Sequence, residues 1–373
     1  MFTLKIFHEY GDPRHFLALE FLKDIGIISD IVNIVFDPKV IIYRALKNLN
    51  LNYMVRNTAL LLKSLLSQET DHINIVGMAP LHYFVHYFRK LKLGKKPVIY
   101  YTSWPYWNFE KHYGRWVHVY PFDLRKTWMN FLEEVDAVVC VTKSSCKALK
   151  RYSENVFWIP HTVNTTLFKP KEKLKERDPV VILFVGRLVE EKGVLELIEV
   201  AKRIKNLRKN IEFWFVGHGP LAYYLSRLEG QLPIKYLGYI SNTLLPKVYQ
   251  KVDVVVLPSK RKRNWEELFG IVLIEAMSCS LPVIASNHVG PREIITHGYD
   301  GFLVQSNPNL NKEAFVKELT DYILLLAENK DLRLRMGQRG RRKAEQLYDV
   351  KVVAKKWREV LEKVSSHFNF KGG

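Results

Sequence analysis

The feature that most constrains this chain is a series of short, almost wholly apolar runs in its second half, with helical patterns between them. The runs are rich in β-branched residues and lie at Val180–Val185, Ile211–Val216, 252–257 and 282–285. Strands buried on both faces of a parallel sheet have this composition. Between the first two runs, residues 194–207 carry an apolar helical stripe. This alternation predicts a doubly wound α/β domain.

The first half repeats this pattern less regularly. Strand candidates lie at 4–7, 73–76, 98–101 and 137–141, and helical patterns at 16–22 and 81–91. We therefore predict an α/β protein of two Rossmann-like doubly wound domains facing a central cleft, where a ligand would bind. The first domain is expected over residues 1–168 and the second over 169–348, with the charged stretch 171–178 as linker. Residues 349–373 are expected to form a C-terminal helix that crosses back to the first domain.

The charge balance points to an anionic partner. The chain has 57 Lys and Arg against 38 Asp and Glu, a net charge of +19. Nucleic acid, a negatively charged membrane surface and phosphorylated small molecules all fit this balance. An apolar content of 47% excludes a disordered chain, and three cysteines without metal or redox spacing suit a reducing compartment. Without a signal peptide or an 18-residue apolar run, we expect a cytoplasmic protein, free or peripheral on the inner membrane face.

Two carboxylates, Glu267 and Glu275, are separated only by apolar residues and Gly270. If a helix begins at Gly270, the two lie roughly 12 Å apart along its axis at 1.5 Å per residue. The paired carboxylates of glycoside hydrolases are about 5–9.5 Å apart. The spacing therefore argues against a hydrolase pair and favours two contacts to one long ligand.

Cationic side chains follow the first strand of the second half. The strand ends at Gly186-Arg187, and Lys192 and Gly193 precede the next helix. Ligands of open α/β sheets bind beyond the carboxyl ends of the strands, and helix N-termini favour anions. A guanidinium and an ammonium at this place predict a phosphate site. The alternative is an ordinary charged loop in which Lys192 pairs with Glu190 or Glu191.

Two further loops are expected at the same sheet edge. One is Gly217-His218-Gly219-Pro220, which lacks the third glycine of a dinucleotide fingerprint and alone indicates only a tight turn. The other, residues 286–293, follows the fourth apolar run. Their convergence beside Glu267 and Glu275 strengthens the prediction of a binding site there.

These segments, in order, resemble the family 4 glycosyltransferases, which have the GT-B fold. The matching pieces are 159–164 with 168–170, 184–187 with 192–193, 216–220, 236–239, 253–259, 267–277, 282–285 and 298–303. The pair Glu267 and Glu275 resembles the E-x7-E motif of that family. The first half matches in architecture alone.

The resemblance implies a role for each matching residue. Arg187 and Lys192 would bind the diphosphate of a nucleotide-sugar donor, Glu275 the ribose hydroxyls, and Glu267 the donor sugar. The remaining donor-binding positions would be Gly186, Gly217, Leu268, Phe269, Gly270 and Tyr239, the last bordering the base. Members of the family are retaining and need no metal or other cofactor, so Glu267, Arg187 and Lys192 would be the catalytic set. The cations would stabilise charge on the leaving diphosphate.

The chain also departs from the family pattern. Ser280 and Val289 stand where the family usually has glycine, and a basic insertion, residues 260–265, lies beside the expected sugar site. That insertion could meet an anionic acceptor or form a solvated loop. Acceptor-binding positions are expected in the first half at Gly11, Ser103 and Trp104, although the aromatic cluster 104–107 could equally be core.

Two classes of function follow. The first is a retaining transferase that moves a hexose from a nucleotide-diphosphate sugar to a lipid-linked, polysaccharide or small-molecule acceptor. The second is a basic protein without catalysis that binds nucleic acid or membrane; of these two partners nucleic acid is the less favoured. A nucleotide-sugar epimerase or a phosphorylase on the same fold is a nearer alternative to the first.

Overall fold

The protein divides into two compact units. The computed structural model describes residues 2–9, 13–47, 50–66, 72–107, 124–171, 178–262 and 265–368. The first unit comprises Met1–His161 with Val353–Gly373, and the second comprises Thr162–Val352. The expected linker therefore lies within the second unit, and its residues 172–177 are outside the described ranges.

The first unit is built on a six-stranded parallel sheet. Its strands are β1 (Phe2–His8), β2 (Ile28–Val35), β3 (His72–Gly77), β4 (Val98–Thr102), β5 (Ala137–Cys140) and β6 (Val156–Trp158), in the order β2-β1-β3-β4-β5-β6. Its helices are α1 (Leu17–Asp24), α2 (Pro38–Lys47), α3 (Leu51–Leu66), α4 (Val85–Leu93), α5 (Leu124–Glu134) and α6 (Lys143–Leu149). The strand order reverses between β1 and β3, as in doubly wound folds.

Edge strand β2 and the helices that follow it have no counterpart in the sequence prediction. The strand reads ISDIVNIV, and its second, third and sixth residues are exposed. An edge strand is not buried on both faces, so it lacks the continuous apolar run that reveals the central strands. The central strands β1, β3, β4 and β5 agree with the predicted runs to within two residues.

The second unit is built on another six-stranded parallel sheet. Its strands are β7 (Val180–Val185), β8 (Ile211–Val216), β9 (Ile234–Tyr236), β10 (Val254–Leu257), β11 (Val283–Ser286) and β12 (Gly301–Val304), in the order β12-β11-β10-β7-β8-β9. Its helices are α7 (Val194–Asn206), α8 (Ala222–Leu228), α9 (Leu245–Tyr249), α10 (Ile271–Ser278), α11 (Val289–Ile294), α12 (Lys312–Glu328) and α13 (Lys330–Lys343). This strand order is that of the dinucleotide-binding fold, and the predicted fold class is confirmed.

Helices cover the second sheet because its strands have no polar face. Phe184 of β7 and Phe213 and Phe215 of β8 are fully buried, and they form one core cluster with Val194 and Leu197 of α7. The apolar stripe that predicted a helix at 194–207 is the face of α7 that packs on this sheet. Burial on both faces therefore explains why β7 is wholly apolar and why β8 has a single charged residue, the half-buried Glu212.

The chain ends in helix α14 (Val350–Ser366), which covers all but the last residues of the predicted helical segment 350–368. From Val353 onward it belongs to the first unit. Trp357 is buried, with its ring centroid 6.1 Å from that of Tyr101, and Lys363 Nζ donates to Asn155 Oδ1 at 2.9 Å. Apolar packing and a polar contact thus join the end of the chain to the first sheet.

Within the described ranges, no helix has both the length and the apolar character needed to cross a bilayer. The three cysteines, Cys140, Cys146 and Cys279, are buried free thiols. Burial raises the pKa of the Cys140 and Cys279 thiols far above its ordinary value, so both remain protonated and unreactive at neutral pH.

Candidate functional site

The candidate site lies at the carboxyl edge of the second sheet. The neighbouring strands β7 and β10 both end there. The next strand after β7 is β8, toward one edge of the sheet, and the next after β10 is β11, toward the other edge. Open α/β sheets bind ligands at such a switch point. The loops that follow these two strands carry Gly186-Arg187 and Pro258-Ser259.

Two glycines let the loops at this edge pack closely. Gly193 has φ +75°, and a Cβ there would lie 1.8 Å from the Pro258 carbonyl oxygen. Gly217 has φ +138°, and a Cβ there would lie 1.9 Å from the carbonyl oxygen of Gly186. Both conformations favour glycine. The contacts bring the loop after β10 against the start of α7, and the loop after β8 against the end of β7.

Lys192 and Glu267 form an ion pair at the centre of this edge. Lys192 Nζ lies 2.5 Å from Glu267 Oε2, and the two side chains are only 16% and 11% exposed. Ser259 Oγ donates to the same carboxylate oxygen at 3.0 Å. The Lys192 ammonium also lies 4.9 Å from the centroid of the Trp265 ring, a cation–π distance. In the part of the chain that the structure describes, Glu267 Oε1 has no hydrogen-bond partner.

Arg187 stands apart from that pair. Its side chain is 59% exposed, and NH2 lies 3.7 Å from Glu191 Oε1 in the same loop. The alternative interpretation, in which Lys192 pairs with Glu190 or Glu191, is wrong about the cation. Arg187 contacts Glu191, while Lys192 reaches a carboxylate 75 residues away in sequence. One cation is thus held at the edge of the sheet and the other remains exposed beside it.

His288, in the loop after β11, holds the backbone of Glu267. The Glu267 N–H donates to His288 Nδ1 at 3.1 Å, and the Gly290 N–H donates to the Glu267 carbonyl at 3.2 Å. Burial lowers the pKa of His288 to about 4, so the ring is neutral at physiological pH and carries its proton on Nε2. His288 therefore positions Glu267 as a hydrogen-bond acceptor without adding charge.

Glu275 has different surroundings from Glu267. It is the fifth of the eight residues of α10 and is 4% exposed. The hydroxyl of fully buried Tyr249 donates to its Oε2 at 2.8 Å. The two glutamates of the motif are thus oriented by different groups, Glu267 by Lys192 and Ser259, and Glu275 by Tyr249.

The backbone between the two glutamates turns into α10 at Gly270. Gly270 has φ +93° and is the N-cap residue, so the helix begins where the sequence analysis expected it. Phe269 is buried, with its ring centroid 6.0 Å from that of Tyr348, and Leu268 is half-buried. Phe269 and Gly270 therefore lie at the positive end of the helix dipole, where an anion is favoured.

The remaining predicted donor-binding residues, Gly186, Gly217 and Tyr239, follow β7, β8 and β9 respectively. The Gly186 N–H donates to the Val216 carbonyl at 3.0 Å, and the Gly217 N–H donates to the Gly238 carbonyl at 2.8 Å. Tyr239 is 71% exposed, and its ring meets that of His218 edge-on with centroids 5.8 Å apart. Tyr239 is therefore an accessible aromatic surface at this edge.

The predicted acceptor residues belong to the first unit. Ser103 and Trp104 follow β4 and are half-buried, and Trp104 Nε1 donates to the Tyr106 carbonyl at 2.7 Å. Trp107 is buried in the core, so that member of the aromatic cluster is structural. Gly11 lies outside the described residues.

The basic insertion is largely neutralised by neighbouring carboxylates. Lys260 pairs with Glu196 at 2.9 Å, Arg261 with Glu266 at 2.9 Å, and Lys262 with Glu191 at 3.3 Å; positions 263–264 are outside the described ranges. Burial raises the pKa of the Glu266 carboxyl. The described part of the insertion is therefore tied to the loop after β7 and to α7, while Arg261 and Lys262 remain about half exposed to solvent.

One group of possible metal ligands lies in the first unit. Carboxylate oxygens of Glu9 and Asp37 and an imidazole nitrogen of His82 all lie within 4.8 Å of one another. His82 Nδ1, however, accepts the Phe84 N–H at 3.2 Å. A neutral ring then carries its proton on Nε2, the nitrogen that faces Asp37 at 3.9 Å. A metal there would need the opposite tautomer, so the donor set does not suit a metal ion.

Sequence reasoning missed three residues of this edge. Ser259 is part of a matched segment, and its place after an apolar strand was a usable signal. His288 lies in a loop that the sequence analysis placed at this edge, but nothing distinguished it there. Tyr249 lies at the end of α9 and contacts Glu275 only through the tertiary fold.

Solved structures with the same arrangement of strands and helices identify the fold. The structure of Anabaena HepE in complex with UDP superposes with a TM-score of 0.66 at 18% identity, covering 97% of this chain and 100% of that one. Sucrose-phosphate synthase from Thermosynechococcus elongatus gives 0.70 at 17% identity, covering 98% and 100%. The two parallel six-stranded sheets with their helices are therefore the GT-B fold.

The sequence itself is similar to one family profile and to several individual proteins. Residues 166–343 match the profile of the family described as glycosyl transferases group 1. An uncharacterized glycosyltransferase of Methanocaldococcus jannaschii is 39% identical over 35% of this chain and 34% of its own length. The alpha-D-kanosaminyltransferase of Streptomyces kanamyceticus is 30% identical over 45% of this chain and 42% of its own length. The match to the family profile lies in the second unit, and the matches to these two relatives span less than half of each of them.

Proposed function

We propose that the protein is a retaining glycosyltransferase that moves a hexose from a nucleotide-diphosphate sugar to a lipid-linked, polysaccharide or small-molecule acceptor. The observation that carries the proposal is the Lys192–Glu267 ion pair at the switch point of the second sheet, in which Glu267 Oε1 accepts no hydrogen bond from any described residue. The segment that contains it matches the group 1 glycosyltransferase profile.

The donor diphosphate binds at Arg187 and Lys192 in this proposal. The Lys192 ammonium is already partly desolvated, and a partly buried cation attracts a phosphate more strongly than an exposed one. The 59% exposed guanidinium of Arg187 can turn toward the same group and offer two parallel hydrogen bonds. The start of α10 at Gly270 adds the positive end of its helix dipole.

The two glutamates bind the two ends of the donor. Glu267 Oε1 accepts a hydroxyl of the donor sugar, since Oε2 is occupied by Lys192 and Ser259. Glu275, oriented by the Tyr249 hydroxyl, accepts the ribose hydroxyls. Tyr239 borders the base. HepE was crystallised with UDP, which makes uridine the first base to test here.

Transfer proceeds without a bound metal in this proposal. As the sugar–phosphate bond breaks, negative charge develops on the leaving diphosphate, and Lys192 and Arg187 stabilise it. The departing phosphate oxygen takes the proton of the acceptor hydroxyl, which attacks the same face of the sugar. The configuration at the anomeric carbon is thereby retained.

The acceptor is bound by the first unit in this proposal, at Gly11, Ser103 and Trp104. Half-buried Trp104 offers an aromatic surface on which a sugar ring can stack. We propose a cytoplasmic location, because Cys140, Cys146 and Cys279 are free buried thiols, which suits a reducing compartment.

The test is a transfer and hydrolysis assay with UDP-, GDP- and ADP-sugars, using purified protein with and without EDTA. We expect turnover with at least one donor in both conditions, and a loss of about 10²–10³-fold in Lys192→Ala, as for the removal of other groups that stabilise transition-state charge. Lys202→Ala, on the outer face of α7, is the matched control and should keep full activity.

Product analysis distinguishes this reaction from the epimerase and phosphorylase reactions that are the alternatives on the same fold. Anomeric coupling constants measured by NMR should show the donor configuration in the product. An inverted product would refute retention, an epimerised free nucleotide sugar would indicate an epimerase, and sugar phosphate formed from glycan and phosphate would indicate a phosphorylase. No turnover or donor binding with any nucleotide sugar would refute the proposal.

A further inference from the structure

The adjacent helices α2 and α3 of the first unit expose several large apolar side chains. Eighteen such side chains are exposed over the described residues, and five of them lie in these two helices: Ile42 (50%), Tyr43 (63%), Leu46 (68%), Val55 (63%) and Leu62 (52%). Singly scattered exposed apolar residues need no explanation, whereas a group of them marks a contact surface.

The exposed apolar residues are distinct from those that hold the helices to the unit. Ile41 and Ala45 of α2 and Leu61 of α3 are buried. Ile42 and Leu46 are four residues apart, and Val55 and Leu62 seven apart, spacings that place each pair on one helix face. Each helix therefore has buried apolar residues, which pack, and further large apolar side chains that lie among polar and basic ones on its exposed side.

The charge of this segment has a single sign. Residues 38–66 include Lys39, Arg44, Lys47, Arg56 and Lys63, and no aspartate or glutamate. Lys39, Arg56 and Lys63 are exposed, and across the described ranges none of the three is in an ion pair with a carboxylate. In contrast, the described cations of the insertion after β10, which are Lys260, Arg261 and Lys262, are paired with carboxylates.

We propose that the α2–α3 surface docks on an anionic lipid bilayer. Apolar side chains among lysines and arginines are typical of helices that lie in the membrane interface. Each cation near an anionic leaflet contributes favourably, and the apolar side chains enter the acyl boundary. Nucleic acid would engage the cations alone, and a second copy would bring two positively charged surfaces together.

This inference does not rest on the proposed transfer reaction, since membrane binding can be measured without a donor. Flotation of the full chain with vesicles of phosphatidylcholine alone, or with 30% phosphatidylglycerol, tests it. We expect binding to the anionic vesicles only, weakened by 0.5 M salt because salt screens the attraction.

Two pairs of variants assign the binding to this surface. Arg56→Glu with Lys63→Glu should reduce binding about tenfold or more. Lys247→Glu in α9 with Lys251→Glu in the turn after it should leave binding unchanged. Ile42→Ser with Leu46→Ser should also weaken binding, and Leu310→Ser, at a residue 85% exposed in the second unit, should not. Unchanged melting temperatures would show that the variants fold.

A second readout does not depend on loss of binding. The native cysteines are buried, so Ile42→Cys can be labelled with an environment-sensitive dye. Its emission should shift to the blue with anionic vesicles, whereas a dye at Leu310→Cys should not respond. Equal binding to neutral vesicles, or no binding to either kind, would overturn the proposal. So would self-association that Ile42→Ser with Leu46→Ser abolishes in the absence of lipid.

Discussion

At the residue scale, Ser280 shows why one departure from the family pattern carries a cost. It follows α10 with φ +59°, in the left-handed region that favours glycine. For a residue with a Cβ this conformation costs roughly 1–2 kcal/mol, partly offset because glycine loses more backbone entropy on folding. We expect Ser280→Gly to stabilise the protein by about 0.5–1 kcal/mol.

Urea unfolding at neutral pH measures this change. Ser280→Ala is the control, because it removes the hydroxyl and keeps the strained conformation. Equal stabilities of the two variants would assign any effect to the hydroxyl and contradict the backbone explanation.

His288 gives a pH-dependent prediction. In the folded protein its pKa is about 4, against an ordinary value of 6.5. The unfolded chain therefore binds the extra proton between pH 6.5 and 4, and the contribution of His288 to stability falls as pH falls through that window. The difference corresponds to about 3 kcal/mol as an order of magnitude. His288→Asn keeps an acceptor for the Glu267 N–H and cannot titrate.

The measurement is the free energy of unfolding at pH 7.5, 5 and 4. We expect wild type to lose more stability than His288→Asn over this range, although both start near the same value. His367→Asn, at the exposed end of α14, should follow the wild-type curve. Parallel curves for wild type and His288→Asn would show that the ring is not buried in the neutral form.

The sequence predicted the sheet edge at which these residues lie, but not which of their side chains contact each other. Glu267 and Lys192 were expected at one sheet edge because each follows or flanks an apolar strand, and strand ends meet at an edge. Their 2.5 Å contact was not predictable, since it depends on how Gly193 packs on the loop after β10. Tyr249 gave no signal at all, because only the fold brings it to Glu275.

At the element scale, the packing of α13 on α10 depends on a helical glycine. A Cβ at Gly337 would lie 1.9 Å from the Ser280 carbonyl oxygen. Alanine would favour the helix itself by about 1 kcal/mol, but the clash forces the helices apart at typically 1–3 kcal/mol or more. We expect Gly337→Ala to lower the free energy of unfolding by a net ~1 kcal/mol or more, measured as a lower urea midpoint.

The control is Gln338→Ala, at an exposed position on the same helix, which should change the urea midpoint little. A Gly337→Ala variant as stable as wild type would place α13 farther from α10.

The elements themselves were predictable where burial is complete. Strands β7 and β8 agree with their apolar runs residue for residue, because parallel strands covered by helices tolerate no polar face. Strand β2 was missed because an edge strand with exposed residues carries no continuous apolar run. Helices α2 and α3 do carry an amphipathic helical pattern, and that signal was overlooked.

At the scale of the whole molecule, the central claim is that the carboxyl edge of the second sheet binds a nucleotide diphosphate through Lys192. Calorimetric titration of UDP, GDP and ADP into wild type, Lys192→Ala and Lys202→Ala tests it most directly. We expect saturable binding of at least one of the three nucleotides to wild type and to Lys202→Ala, and at least tenfold weaker binding to Lys192→Ala. Equal affinity in Lys192→Ala, or no binding of any nucleotide to wild type, would contradict it.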